Sequence, residues 1–140
     1  MEDIKVAYKL RGLFEQKITN EYYASFKGSF GRVQVEVLSY LYEKDRAHVQ
    51  DIADTINISK QHASKIIRKF EEDGLLDNSP DPSDGRSTVY HLNEKGRALM
   101  DEHLSLSDER FLTKLNSLAP ADRKELIECM VKIAKQLENI

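Results

Sequence analysis

One stretch of twelve residues, from Ser59 to Phe70, carries four cations and no acidic residue. The cations are Lys60, Lys65, Arg68 and Lys69. Gln61, His62 and Ser64 lie among them. Lysine and arginine contact phosphates, whereas amide, imidazole and hydroxyl groups can hydrogen-bond to base edges. The stretch therefore has the side chains of a nucleic-acid contact, although a basic face is as typical of a helix that is merely solvated.

The elements around this stretch decide between the two interpretations. Its apolar residues recur at helical spacing: Ala63, Ile66, Ile67 and Phe70. They predict a helix from Lys60 to about Asp73, with the polar side chains on its other face. Ser59 can cap its start, and Gly74 can end it in the left-handed conformation. Residues 49–56 predict a short preceding helix across a tight turn, so the pair forms a helix-turn-helix.

The pattern changes from helix to strand after Gly74. Leu75 and Leu76 begin one strand, residues 80–85 have the composition of a turn, and residues 88–92 alternate as a returning strand. A hairpin directly after a helix-turn-helix makes a wing, which can lie beside the helix that enters the major groove.

The wing and the residues that follow it resemble the MarR family of bacterial regulators. That family carries Asp-x-Arg in the wing and then a Leu-Thr-x-x-Gly helix start. Here the matching residues are Asp84-Gly85-Arg86 and Leu92-Asn93-Glu94-Lys95-Gly96, preceded by Gly74-Leu75-Leu76 and Pro80-Asp81-Pro82-Ser83. Asn93 replaces the usual threonine, and both residues can cap a helix. Ile52-Ala53 matches the family's Leu-Ala, and the motifs span about residues 32–99.

The resemblance implies roles for individual residues. Asp84 would orient Arg86, and Arg86 would enter the minor groove, whose negative potential attracts arginine. Lys65 and Lys69 match positions that are commonly basic. The expected DNA-binding residues are Ser59, Lys60, Gln61, His62, Ser64, Lys65, Arg68, Lys69, Asp84 and Arg86. One alternative is that Arg86 only pairs with Asp84 across the turn. Residues 77–79 depart from the family by lacking arginines, which predicts fewer phosphate contacts from the wing base.

The rest of the chain is predicted to be helical, with helices at 3–19 and 32–44 and a long helical region after Asn93. Residues 20–31 are aromatic and interrupted by glycine, so a loop or a broken helix is expected there. The fold class is mainly α with a small β-hairpin wing: a winged helix-turn-helix with helical dimerisation arms. We expect a single domain, 1–140, with a DNA-binding lobe at 32–93 and a helical dimerisation region at 1–31 and 94–140.

Apolar stripes outside the winged core need a partner, and the resemblance also implies a two-fold homodimer. Such a dimer would place two recognition helices ~34 Å apart on a pseudo-palindromic operator. The expected partner is thus double-stranded DNA, and the expected function is that of a transcriptional regulator. Repression and release by a small aromatic or anionic effector are implied by the resemblance. The alternative function is a winged-helix protein–protein interaction module, which would expose apolar side chains on the second helix of the motif.

Composition limits the other classes of function. The net charge of −3 argues against strong non-specific binding to nucleic acid. The single cysteine, Cys129, is expected to be buried, and together with the lack of a signal region it fits a cytoplasmic protein without a membrane span. No phosphate loop, nucleophile motif or Cys/His cluster is present, so we expect no enzyme, no catalytic residue and no cofactor. His48 with Asp51 and His103 with Glu102 are weak metal candidates, and no metal is expected.

Aromatic residues in the first third of the chain have two interpretations. They are Tyr22, Tyr23, Phe26, Phe30 and Tyr40. They could line a cleft for an aromatic anion between the helical base and the winged lobe. Core packing is the commoner role for each residue singly, so none is assigned to a site.

Overall fold

The computed structural model describes residues 1–26 and 28–140. The helices are α1 (Glu2–Phe14), α2 (Asn20–Ala24), α3 (Arg32–Lys44), α4 (Val49–Ile56), α5 (Lys60–Glu72), α6 (Glu94–Asn116) and α7 (Pro120–Leu137). A π-helical segment, Glu15–Thr19, joins α1 to α2. The strands are β1 (Leu76–Asp81) and β2 (Asp84–Leu92), which form a two-stranded antiparallel sheet. The predicted fold class, a mainly helical winged helix-turn-helix, is confirmed.

The N-terminal helical run is longer than predicted. It continues through Ala24, so of the two expectations for this region, a loop or a broken helix, the broken helix is the one observed at residues 20–24. Packing overrides the weak local signal, because Tyr22 and Tyr23 lie against the hydrophobic core. A turn follows, in which Gly28 has a φ of +83°, while residue 27 lies outside the described residues.

The helix-turn-helix forms as its end signals predict. The Ser59 Oγ accepts a hydrogen bond from the backbone N–H of His62 at 3.0 Å, which caps α5. Gly74 ends the same helix with a φ of +75°. The inward residues of α5 are buried against α3 and α4: Ala63, Ile66, Ile67 and Phe70.

The wing is longer, and its turn tighter, than the sequence predicts. Leu76 lies opposite Leu92 and Asp81 opposite Asp84, so only Pro82 and Ser83 remain between the strands. The Asp81 carboxylate accepts hydrogen bonds from the Ser83 backbone N–H and hydroxyl, both at 2.9 Å, which closes the turn in place of the expected six-residue loop.

The root of the wing is held by two neighbouring segments. Ala47, between α3 and α4, pairs with Tyr90 of β2 through backbone hydrogen bonds of 3.0 and 2.9 Å. On the other side α6 follows Asn93, whose side chain caps the helix by accepting a hydrogen bond from the Gly96 N–H. A methyl group at Gly96 would collide with the carbonyl oxygen of Leu75, so glycine is required where α6 meets the wing.

The apolar side chains are distributed unevenly between the lobe and the terminal helices. All but three of the buried hydrophobic residues lie at 32–93, the exceptions being Phe26, Met100 and Leu115. Neither α1 nor α7 has a buried residue. Cys129 on α7 is exposed, so the expectation that it is buried is wrong for the single chain: no other segment of the described residues covers that face of α7. Among the helices described, none is long and apolar enough to cross a membrane.

Candidate nucleic-acid interface

The outer face of α5 presents the predicted polar residues to solvent. Six of the ten expected site residues are exposed here: Lys60, Gln61, His62, Lys65, Arg68 and Lys69. Ser64 is half-buried, and the hydroxyl of Ser59 is used as the helix cap. The amphipathic pattern therefore places the cations on one surface and directs the apolar residues into the core.

These cations are largely free of carboxylate partners. Within the described part of the chain, Lys60, Lys65 and Arg68 have no acidic oxygen within 4.0 Å, and Lys69 approaches only Asp73, at 3.9 Å. A solvent-exposed pair at that distance contributes little. The surface is consequently positive in a protein whose net charge is −3. Among the described residues it also has no exposed large hydrophobic side chain, which disfavours an apolar protein-docking surface.

A shallow groove runs between α5 and the start of α3. Gln34 of α3 faces residues of α5 across it: His62, Lys65, Ile66, Arg68, Lys69 and Glu72. The Gln34 side-chain oxygen accepts the Gly31 N–H at 3.0 Å and so caps α3. Sequence reasoning missed Gln34, because only tertiary packing brings it beside α5.

At the wing tip, Asp84 orients Arg86 through the backbone. Its Oδ1 accepts the Arg86 N–H at 3.1 Å, and its Oδ2 accepts the Ser87 hydroxyl at 3.4 Å. In the described chain no carboxylate lies within 4.0 Å of the Arg86 guanidinium. The alternative in which Arg86 is an ion-pair partner of Asp84 is therefore not the arrangement observed. Both residues are exposed, and the guanidinium is free to contact a ligand.

The base of the wing contacts the protein itself. The Asn78 side chain donates to the Glu71 carboxylate at 2.7 Å, which ties β1 to the last turn of α5. Asp77 is exposed and Ser79 is half-buried. This region offers no cation for a phosphate.

His48 forms a contact that the sequence did not predict. Its Nε2 lies 2.8 Å from the Asp81 carboxylate on β1, and its Nδ1 lies 3.3 Å from the Asp51 carboxylate on α4. Hydrogen bonds from Ser83, with a smaller contribution from His48, lower the pKa of Asp81. The sequence names His48 with Asp51 only as a weak metal candidate, and Asp81 comes from a distant segment. Across residues 1–26 and 28–140, no three His, Cys, Asp or Glu side chains are arranged to hold a metal ion.

The aromatic residues near the N-terminus belong to the core layer between α2, α3 and α6. Phe26 is fully buried, and the other four are partly buried against the core. The Tyr23 hydroxyl donates to Glu36 at 3.1 Å, and the Tyr22 hydroxyl hydrogen-bonds to Ser39. Burial raises the pKa of both tyrosines. The second weak metal candidate, His103, is stacked on Phe26 and contacts the Ser25 carbonyl at 2.5 Å.

Comparison with known proteins agrees with this geometry. Residues 31–88 match the model of the MarR family. The chain is 24% identical to an HTH-type transcriptional regulator, YdgJ of Bacillus subtilis, over 99% of this chain and 83% of that protein. It is 26% identical to the HTH-type transcriptional repressor IacR of Pseudomonas putida, over 74% of this chain and 62% of that protein. It also shares its fold with a mutant of S. aureus MepR bound to an oligodeoxyribonucleotide: the TM-score is 0.69, the identity 21%, and the match covers 94% of this chain and 97% of that one.

Proposed function

We propose that this chain, whose residues 31–88 match the model of the MarR family, is a transcriptional repressor that binds a pseudo-palindromic DNA operator as a homodimer. The observation that carries the proposal is the exposed cationic face of α5 beside a wing that presents a free Arg86. The similarity to the repressor IacR supports the direction of regulation. We propose no enzymatic activity for this protein. Its proposed location is the cytoplasm, where a bacterial operator would be found.

The proposed DNA contacts divide between two grooves. The start of α5 enters the major groove, where Gln61 and His62 reach base edges. The cations of α5 contact phosphates on either side: Lys60, Lys65, Arg68 and Lys69. Arg86 enters the adjacent minor groove, with Asp84 holding its backbone. Ser59 has a supporting role through the cap of α5, and half-buried Ser64 faces the edge of the contact.

The proposed dimer is built from the segments outside the lobe, residues 1–31 and 94–140. The exposed large hydrophobic side chains of the described residues all lie in these two segments. A cavity of about 610 Å³ opens between α1, α6 and α7, with lining residues that include Leu13, Phe14, Phe111 and Met130. A second copy packed on this face would bury surface that is unfavourable in water. The winged lobe, 32–93, would then stand on each side of the two-fold axis.

We also propose release by a small aromatic or anionic effector. A dimer reads two half-sites at a fixed spacing, so a ligand that favours a different separation of the two α5 helices lowers DNA affinity. Benzoate is the simplest probe of this class. Its addition should release bound operator, and a dimer that retains full affinity at saturating benzoate would remove this part of the proposal.

The test of the central proposal is selection from a pool of random duplexes, with the bound fraction sequenced at two salt concentrations. We expect enrichment of a palindrome whose half-sites lie about one helical turn apart, with binding that weakens steeply as salt rises. The double variant Lys65→Gln/Lys69→Gln should lose enrichment. The exposed α7 double variant Lys124→Gln/Lys132→Gln should retain it and serves as the matched charge control. Recovery of no common sequence by the native protein would contradict sequence-specific binding.

A further inference from the structure

We propose that His48 is a wing-positioning residue, which fixes the wing tip relative to the helix-turn-helix through its contact with Asp81. The inference rests on the proposed function for its consequence, which is that α5 and Arg86 read DNA as one rigid unit. Within the described part of the chain, the His48 side chain has no hydrogen bond or ion pair to α5 or to the proposed DNA-facing residues.

His48 is the N-cap residue of α4, which is the first helix of the helix-turn-helix. Its backbone N–H donates to the Asp51 carboxylate at 3.3 Å, and its Nδ1 lies 3.3 Å from the same oxygen. Its Nε2 is left to face Asp81 at 2.8 Å, the shortest of these contacts. The imidazole is thus held by α4 on one side and reaches β1 with the other.

Asp81 is a well-defined attachment point. Only 15% of its side chain is exposed, and its other carboxylate oxygen accepts the Ser83 N–H and hydroxyl at 2.9 Å. These hydrogen bonds lower the pKa of Asp81, so the carboxylate is ionised at neutral pH. From Asp81 the two-residue turn leads directly to Asp84, which accepts the Arg86 N–H. A short path of contacts therefore joins α4 to the backbone of Arg86.

The outer part of the wing depends on this contact more than its root does. The root is held by the Ala47–Tyr90 backbone pair and by the Asn78–Glu71 hydrogen bond. For residues 79–89, within the part of the chain that is described, the His48–Asp81 contact is the one hydrogen bond or ion pair to a residue outside the hairpin. An isolated two-stranded hairpin is marginally stable in water. Without His48 the tip should therefore sample more orientations, and Arg86 should meet the minor groove at a higher entropic cost.

The decisive experiment is a double-mutant cycle on the selected operator, measured by fluorescence anisotropy. His48→Ala should weaken binding by roughly three- to tenfold, and Arg86→Ala should weaken it more. If His48 acts through the wing tip, the double variant should bind within about twofold of Arg86→Ala alone, since the two effects are not independent. Equal losses in the two backgrounds would overturn the proposal, as would unchanged affinity in His48→Ala.

Two further variants separate positioning from folding. His48→Gln keeps an N–H donor that can reach Asp81, so it should recover most of the affinity lost in His48→Ala. Asp81→Ala removes the contact from the other side and should weaken binding at least as much as His48→Ala, because it also removes the acceptor of the Ser83 hydrogen bonds. Failure of His48→Gln to bind better than His48→Ala, with all three variants folded by circular dichroism, would contradict a role for the contact.

A readout without DNA keeps this inference separate from the proposed function. Amide hydrogen exchange of residues 83–88 should be faster in His48→Ala than in the native protein, while the amides of α5 remain unchanged. If the native protein selects no operator, the proposed function fails, and this exchange experiment still judges the wing contact. Unaltered exchange at 83–88 would show that His48 does not restrain the tip.

Discussion

The winged lobe buries its apolar residues, whereas the terminal helices α1 and α7 leave theirs largely exposed. In the lobe, residues 32–93, every large hydrophobic side chain is at least partly buried, and α5 exposes only polar groups. In the segments at 1–31 and 94–140, helices α1 and α7 bury nothing completely. One region completes its core within a single chain, whereas the other lacks one. The difference separates the residues proposed to face DNA from those proposed to hold two copies together.

The two regions also differ in how polar groups are used. In the lobe, the unpaired cations of α5 face solvent. Side-chain hydrogen bonds of the lobe cap its helices and hold the wing. The N-terminal segment meets the lobe through a surface ion pair, Arg32 with Glu15 at 3.1 Å, and a second pair, Lys114 with Glu21 at 2.6 Å, joins α6 to α2. Exposed pairs of this kind contribute little to stability. α1 buries no residue, and the segment that follows it meets the lobe through such a pair, which is a second indication that this arm depends on a partner.

The largest effect is expected from removing α1. Deletion of residues 1–19 should convert the proposed dimer to monomers or aggregates, because it removes the exposed large hydrophobic side chains of α1 that a partner would cover: Ile4, Val6, Tyr8, Leu10, Leu13 and Phe14. Sedimentation velocity would measure the change. A stable dimer that still binds DNA after the deletion would show that α1 is outside the interface. It would contradict the inference that α1 needs a partner.

The next effect concerns the core of the lobe. Phe70→Ala should lower the free energy of unfolding by about 3–5 kcal/mol, since Phe70 is fully buried. The shift should hold at every protein concentration. The matched arm variant Phe14→Ala, at a side chain that is 38% exposed, should instead destabilise by an amount that depends on concentration. Chemical denaturation at two protein concentrations measures the loss of unfolding free energy in each variant. The same concentration dependence in both would show that the lobe and the arm do not differ in their need for a partner.

A smaller effect is expected at the wing. Arg86→Ala should weaken operator binding by ~1–3 kcal/mol if the guanidinium reaches base edges in the groove. Its fold should not change, because the side chain has no ion pair among the described residues that the substitution would break. Anisotropy titration measures the loss, with Lys124→Ala on α7 as a control that should bind normally. An unchanged affinity would reduce Arg86 to a residue of the turn.

The sequence predicts the lobe better than the arms, for physical reasons. Caps and helix ends act over three or four residues, so Ser59, Gly74 and Asn93 could be assigned in advance. The helix at 20–24 depends on packing against α6 and on the hydrogen bonds of Tyr22 and Tyr23 to α3, which no local pattern records. The same holds for the His48–Asp81 contact, whose partners are far apart in sequence. The exposure of Cys129 depends on how the described segments pack around α7, which is a property of the whole fold.

The smallest effect concerns the ion pair that joins α2 to α6. The hydrogen bond from Lys114 is the main cause that lowers the pKa of Glu21, and Lys114 also donates to the Lys17 carbonyl at 3.3 Å. A carboxyl whose folded-state pKa lies below its unfolded value adds stability above the unfolded pKa, and that stability is lost as the pH falls through the folded value. Glu21→Gln should therefore unfold like the native protein in acid and be slightly less stable at neutral pH. Urea denaturation across the acid range checks this, with exposed Glu125→Gln as the control. An unchanged acid profile in Glu21→Gln would show that the pair contributes nothing, and that the arms have even less support within one chain than the comparison assumes.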